Sequence, residues 1–134
     1  MHGIEVLVVD DDKSSLEKLE RLLAREGYGV SACLSENQAQ TWLEESDFDL
    51  VVVDLKHRSI DELAILNQVK EISPNTEVII LTAAATVQTA VEAMKKGAFH
   101  YLSKPFNDDQ FLLVVKNALD KRILRLEVQE LRGI

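Results

Sequence analysis

Strand and helix periods alternate five times along this chain, and that alternation leaves few folds open. Short apolar runs rich in β-branched residues recur at 6–9, 30–34, 50–54 and 78–82, with a shorter run at 101–103. Between them, apolar residues repeat at helical spacing: Leu16, Leu19, Leu22 and Leu23; Ala39, Trp42 and Leu43; Leu63, Leu66 and Val69; Val87, Ala90, Val91 and Met94. The punctuation agrees. Gly27 and Gly97 read as C-terminal caps, Ser35 with Gln38 as a capping box, Asp61 and Thr86 as helix starts, and Ser73-Pro74-Asn75 as a helix end. A last helix is predicted from near Asp108 to beyond Ala118. Continuous apolar strands are buried on both faces, and parallel strands need helical crossovers. The expected fold is therefore α/β, a (βα)5 parallel sheet with helices on both faces. Trp42 and Phe48 read as core residues.

Two of the strand runs end in acid. Asp10, Asp11 and Asp12 follow the first, and Asp54 closes the third. In an open parallel sheet the carboxyl ends of the strands lie side by side, and ligands bind in the crevice there. Two carboxylates about 5 Å apart repel by roughly 3 kcal/mol at an effective dielectric of about 20. Such a pocket calls for a cation, and an all-oxygen donor set selects a hard one such as Mg²⁺. Alone, each residue has an ordinary reading. Three aspartates suit a helix N-terminus, Thr82 suits a strand, and Lys104 suits a solvated surface. Their joint placement at strand ends is what makes a site of them.

Composition bounds the partners. At 134 residues the chain is one ordinary domain, and its net charge of −8 argues against a nucleic-acid surface. Cys33 is alone, so no disulfide framework or multi-Cys zinc site is available. No signal peptide or membrane-spanning run is legible, and a cytoplasmic location is expected. His2, His57 and His100 lack a ligand partner at helical spacing.

Val8-Val9-Asp10-Asp11, Asp54, Thr82-Ala83 and Lys104-Pro105-Phe106, in this order and spacing, resemble the response-regulator receiver domain of two-component signalling. The resemblance covers residues 4–120. The segment from Thr86 to Phe99 is most similar to receivers of nitrogen-regulation-type activators that work with an alternative sigma factor. It implies a flavodoxin-like strand order 2-1-3-4-5. It further implies that Asp54 accepts a phosphoryl group from a histidine kinase, with Mg²⁺ held by Asp10, Asp11, Asp54 and the backbone carbonyl of Lys56. Thr82, Ala83 and Lys104 would contact the phosphoryl oxygens, and Thr82 with Tyr101 would form the conformational switch. The Lys104–Pro105 peptide would be cis. Asp12 keeps the helix-cap reading, because the family pattern asks for two acids.

One segment departs from the family. Arg58 and Glu62 stand where a Pro and a Gly are usual, and Lys56, His57 and Arg58 bring positive charge beside the site. An atypical receiver that is not phosphorylated and serves as a dimerisation module is the alternative. A haloacid-type phosphatase would need a second acid two residues after Asp54, where Lys56 stands. Residues 1–120 are expected to form the receiver and 121–134 the start of a linker helix toward an output domain outside this chain, of the ATPase-plus-DNA-binding kind that the resemblance implies. Leu112, Val115, Leu119, Ile123 and Leu126 form a seam expected to pair two copies as a homodimer.

Overall fold

The computed structural model describes residues 3–55, 62–83 and 86–132. Their elements are β1 (Glu5–Asp10), α1 (Lys13–Arg25), β2 (Gly29–Cys33), α2 (Glu36–Glu45), β3 (Leu50–Leu55), α3 (Glu62–Ile72), β4 (Glu77–Thr82), α4 (Val87–Lys95), β5 (His100–Ser103) and α5 (Asp108–Leu131). The strands are all parallel in the order β2-β1-β3-β4-β5. This is the expected α/β architecture, and the expected order.

Period-two alternation divides the core into two layers. Val6 and Val8 of β1, Leu50 and Val52 of β3, Ile79 and Leu81 of β4 and Leu102 of β5 pack with Leu16, Leu19 and Leu23 of α1 and Phe111, Val115 and Ala118 of α5. The intervening residues Leu7, Val9, Val51, Val53, Val78 and Ile80 meet Leu43 of α2, Leu66 and Val69 of α3 and Ala93 of α4. Each such buried aliphatic side chain contributes about 1.5–3 kcal/mol, which is why the strands read as unbroken apolar runs.

The helix starts are local chemistry. Asp12 caps α1 by accepting from the Ser14 and Ser15 N–H groups, as its cap reading expected. Ser35 accepts from the Gln38 N–H, Thr86 and Thr89 form a reciprocal box at α4, and Asn107 caps α5. Gly27 and Gly97 follow α1 and α4 with φ of 89° and 102°, a left-handed turn that L side chains resist. The predicted cap at Asp61 lies outside the described residues.

One expectation about burial changes. Trp42 is only half-buried at the edge of the second layer, whereas Phe48 is fully in it. On α4 the buried residue is Ala93, while Val87, Val91 and Met94 are exposed. A short helix over β5 buries one small residue, so its larger apolar side chains stay outside.

The expected boundary at residue 120 falls inside α5, which runs on without a break to Leu131. Beyond 120 several of its polar residues reach the domain. Arg125 donates to the Pro74 carbonyl at 3.1 Å, Gln129 and Asn75 exchange amide hydrogen bonds, and Arg122 pairs with Asp49 at 3.2 Å. Lys121 and Arg125 also reach Glu77, the fully buried first residue of β4, which Lys70 approaches from α3. Burial is the main influence on Lys70, pulling its ammonium below the usual lysine range against the opposing pull of Glu77.

Candidate functional site

The carboxyl ends of β1 and β3 are held side by side, with Asp10 and Asp54 as register partners. Counting by twos from Val6 and Val8, and from Leu50 and Val52, puts both acids on the sheet face covered by α1 and α5. Both are buried, at 0% and 1% exposed. Lys104 follows β5 on the face of Leu102, and its Nζ donates to Asp54 Oδ1. The Lys104–Pro105 peptide is cis.

The second oxygen of Asp54 also has a partner: Ser15 Oγ, from the first turn of α1, donates to Oδ2 at 3.3 Å. Asp10 Oδ1 accepts the Asp12 N–H at 2.9 Å, whereas Asp10 Oδ2 is buried without a hydrogen-bond partner among the described residues. The Asp10 carboxyl is raised above the usual range. Burial is the main cause and the Asp54 charge adds to it, while Ser15, the Asp12 N–H and Lys104 pull the other way.

The remaining expected residues divide between places. Asp11 is half-buried beside Asp10. Thr82 ends β4 opposite Ser103 of β5, is 6% exposed, and lies with Ile80 on the face covered by α3 and α4. Ala83, next to it, is exposed. Tyr101 packs partly into the same layer, and its hydroxyl donates to Thr89 Oγ1 of α4 at 3.2 Å. The backbone carbonyl of Lys56, and the Arg58 departure, lie outside the described residues. His100 is exposed on β5, while His2 and His57 are outside the described residues.

For a hard cation the donor chemistry fits at two positions. Asp10 Oδ2 is an orphaned buried oxygen, and Asp54 is a second buried carboxylate beside it. Among the described residues no three His, Cys, Asp or Glu groups converge closely enough to hold a metal by themselves. A metal here would take water and backbone oxygen for part of its shell, as Mg²⁺ commonly does.

Ser15 escaped the sequence reading. Nothing in the second of two adjacent serines in the first turn of a helix sets it apart. The only available hint is the Asp12 cap, which orients the first turn of α1 over the crevice. Glu77 was missed as well, although an acid opening an otherwise apolar strand run was visible.

No helix among the described residues is long and apolar enough to cross a membrane. The sequence pattern of the response regulator receiver domain matches residues 6–116. The transcriptional regulatory protein ZraR of Escherichia coli K12 is 41% identical over 117 residues, 87% of this chain and 26% of that protein. A putative NtrX-like response regulator of Rickettsia felis is 34% identical over 99% of this chain and 28% of its own length. The chain thus spans about a quarter of the length of these curated relatives. Among solved structures, the beryllofluoride-activated NtrC4 receiver domain dimer superposes with a TM-score of 0.82 at 36% identity, covering 88% of this chain and 98% of that one. NtrX from Brucella abortus gives 0.86 at 30% identity over 96% of this chain and 30% of that one. The pattern, the strand order and the paired acids at the sheet edge lead to one assignment: this chain belongs to the response regulator receiver domain family, a family of signalling domains.

Proposed function

We propose that this receiver is a phospho-accepting switch in which Asp54 takes a phosphoryl group from a histidine kinase and an output domain reads the change. The observation that carries this reading is the environment of Asp54. A buried carboxylate at the switch point of a doubly wound sheet is ion-paired on one oxygen to Lys104 and stands beside Asp10. Phosphoryl transfer asks for a positioned nucleophile and positive charge at the equatorial oxygens, and little else. The Lys104 ammonium can leave Asp54 Oδ1 for a phosphoryl oxygen without moving far, because both would occupy the same corner. Thr82 and the Ala83 N–H stand next along the sheet edge as further donors.

Asp10, Asp11 and Asp54, with the Lys56 carbonyl, are the residues that would hold Mg²⁺. When bound, the ion neutralises charge on the phosphoryl oxygens as it develops. The orphaned Asp10 Oδ2 supports this assignment.

Phosphorylation replaces the single negative charge of the Asp54 carboxylate with an acyl phosphate carrying about two, and adds three strong acceptor oxygens. A hydroxyl drawn toward them from Thr82 vacates space on the α3/α4 side of the sheet, where Tyr101 packs against the second layer and holds Thr89 of α4. The switch would then reshape α4, whose Val87, Val91 and Met94 already face outward. That face and the exposed apolar residues of α5 supply surfaces for a homodimer, and NtrC4 is described as a receiver dimer. Several curated relatives are transcriptional regulators, so regulation of transcription through an output domain is the proposed role.

The test is direct. Incubation with Mg²⁺ and acetyl phosphate, followed by intact-protein mass spectrometry, is expected to show gain of one phosphoryl group, mapped to Asp54. Absence of uptake, or phosphate on a histidine, overturns the reading.

A further inference from the structure

Both oxygens of Asp54 are engaged, and by chemically different partners. Lys104 takes Oδ1 with a full charge, and Ser15 takes Oδ2 with a neutral hydroxyl at 3.3 Å. Ser15 is held there by its own helix. Its N–H is the second of the two that Asp12 Oδ1 accepts, so the cap that starts α1 also fixes the serine over the acid. An open groove of about 500 Å³, lined in part by Asp12, Ser15, Asp54 and Lys104, brings solvent to this side of the carboxylate.

Resting on the reading of Asp54 as the phosphoryl acceptor, we propose that the Ser15 hydroxyl sets the lifetime of the phosphorylated state by stabilising the Asp54 carboxylate as it leaves phosphorus. In hydrolysis a water oxygen bonds to phosphorus and the bond from phosphorus to the Asp54 oxygen breaks. The electron pair of that bond returns to Asp54, and both water protons depart with dihydrogen phosphate. The transition state is loose, so much of the negative charge is already on the leaving carboxylate. A hydrogen bond to a carboxylate is stronger than one to the neutral carbonyl of an acyl phosphate. The Ser15 bond therefore gains strength as hydrolysis proceeds and loses strength as phosphorylation proceeds. The same hydroxyl hastens loss of the phosphoryl group and slows its arrival.

The two signs make the proposal testable. Wild type, Ser15→Ala, Ser15→Thr and Ser14→Ala are each phosphorylated with acetyl phosphate and Mg²⁺. The donor is removed by rapid gel filtration, and first-order loss of phosphate is followed by intact mass. A full hydrogen bond to a charged group is worth roughly tenfold or more, of which the transition state feels a part, so Ser15→Ala is expected to lose phosphate about three- to tenfold more slowly. Its uptake is expected to equal or exceed that of wild type. Ser15→Thr keeps the hydroxyl and is expected to decay like wild type. Ser14→Ala changes the same helix turn without reaching Asp54 and is expected to do the same. Equal or faster loss from Ser15→Ala, an equal slowing by Ser14→Ala, or failure of threonine to restore the rate overturns this inference and leaves Asp54 as the acceptor. No phosphate on Asp54 in any of the four proteins overturns both.

Discussion

The Arg125 guanidinium lies 3.2 Å from the carboxylate of Glu77, a side chain that is 1% exposed at the amino end of β4. Lys70 at 3.8 Å and Lys121 at 3.7 Å complete a ring of three cations around one buried acid. A buried charge is costly unless it is paired, and removing one partner of such a group typically costs about 3–5 kcal/mol. Glu77→Gln takes the shared acid from three partly exposed cations and is expected to lower the urea unfolding midpoint. Lys121→Gln, with half its side chain in solvent, is expected to cost no more than about 1 kcal/mol. Truncation after Asp120 removes Lys121 and Arg125 together and is expected to destabilise the rest of the domain. If the truncated domain unfolds at the same urea concentration as the full chain, the α5 extension does not belong to its folding unit.

Mg²⁺ is expected to raise the melting temperature, because it binds the folded acids and not the unfolded chain. Asp11→Asn is expected to remove most of that shift. Asp12→Asn is expected to retain it, since Asn caps a helix about as well as Asp. Equal losses from the two variants would make the triplet a charged helix start and nothing more.

The raised Asp10 carboxyl carries a pH dependence. A carboxyl that holds its proton more tightly when folded contributes stability below its ordinary value of 3.8 and loses that contribution as the pH rises through the raised one. At neutral pH the ionised Asp10 is thus a cost to the metal-free fold. Asp10→Asn is expected to melt higher than wild type without metal at about pH 7, and the advantage to shrink toward about pH 4. Thermal melts across that window, with chelator present, measure it.

Asp54→Ala is expected to bring phosphate incorporation from acetyl phosphate down to background. Lys104→Ala is expected to permit uptake while blunting the response of α4, read from the amide shifts of Thr89 and Val91 on phosphorylation. Unaltered shifts in Lys104→Ala would separate the lysine from the switch.

Ile123 and Leu126 are 49% and 39% exposed, while Arg122, Arg125 and Gln129 are half-buried against the domain. The extension thus docks three polar side chains on the domain and leaves its apolar ones uncovered, the arrangement expected of a helix that a second copy covers. Ile123→Asp with Leu126→Asp is expected to halve the sedimenting mass without moving the urea midpoint. An unchanged mass would leave α4 as the pairing face.

The five strands, their helices and the site acids were legible because each rests on local rules. A run of four buried residues needs four apolar side chains, a helix start needs a capping acceptor such as Asp12, and a left-handed turn needs Gly27 or Gly97. The common sheet face of Asp10 and Asp54, by contrast, follows from period two only once the structure sets the two in register. What the tertiary structure decided were contacts between residues far apart in the chain. Ser15 meets Asp54 across 39 positions, and Glu77 is reached by Lys121 and Arg125 from a segment expected to be a departing linker helix. Even the α4 residues with helical spacing proved to face outward, because a period states which residues share a face and not what that face meets. Backbone propensity and pleat are properties of neighbours in sequence. A hydroxyl against a carboxylate, or three cations around one acid, depends on how whole elements dock, and only the folded chain holds that information.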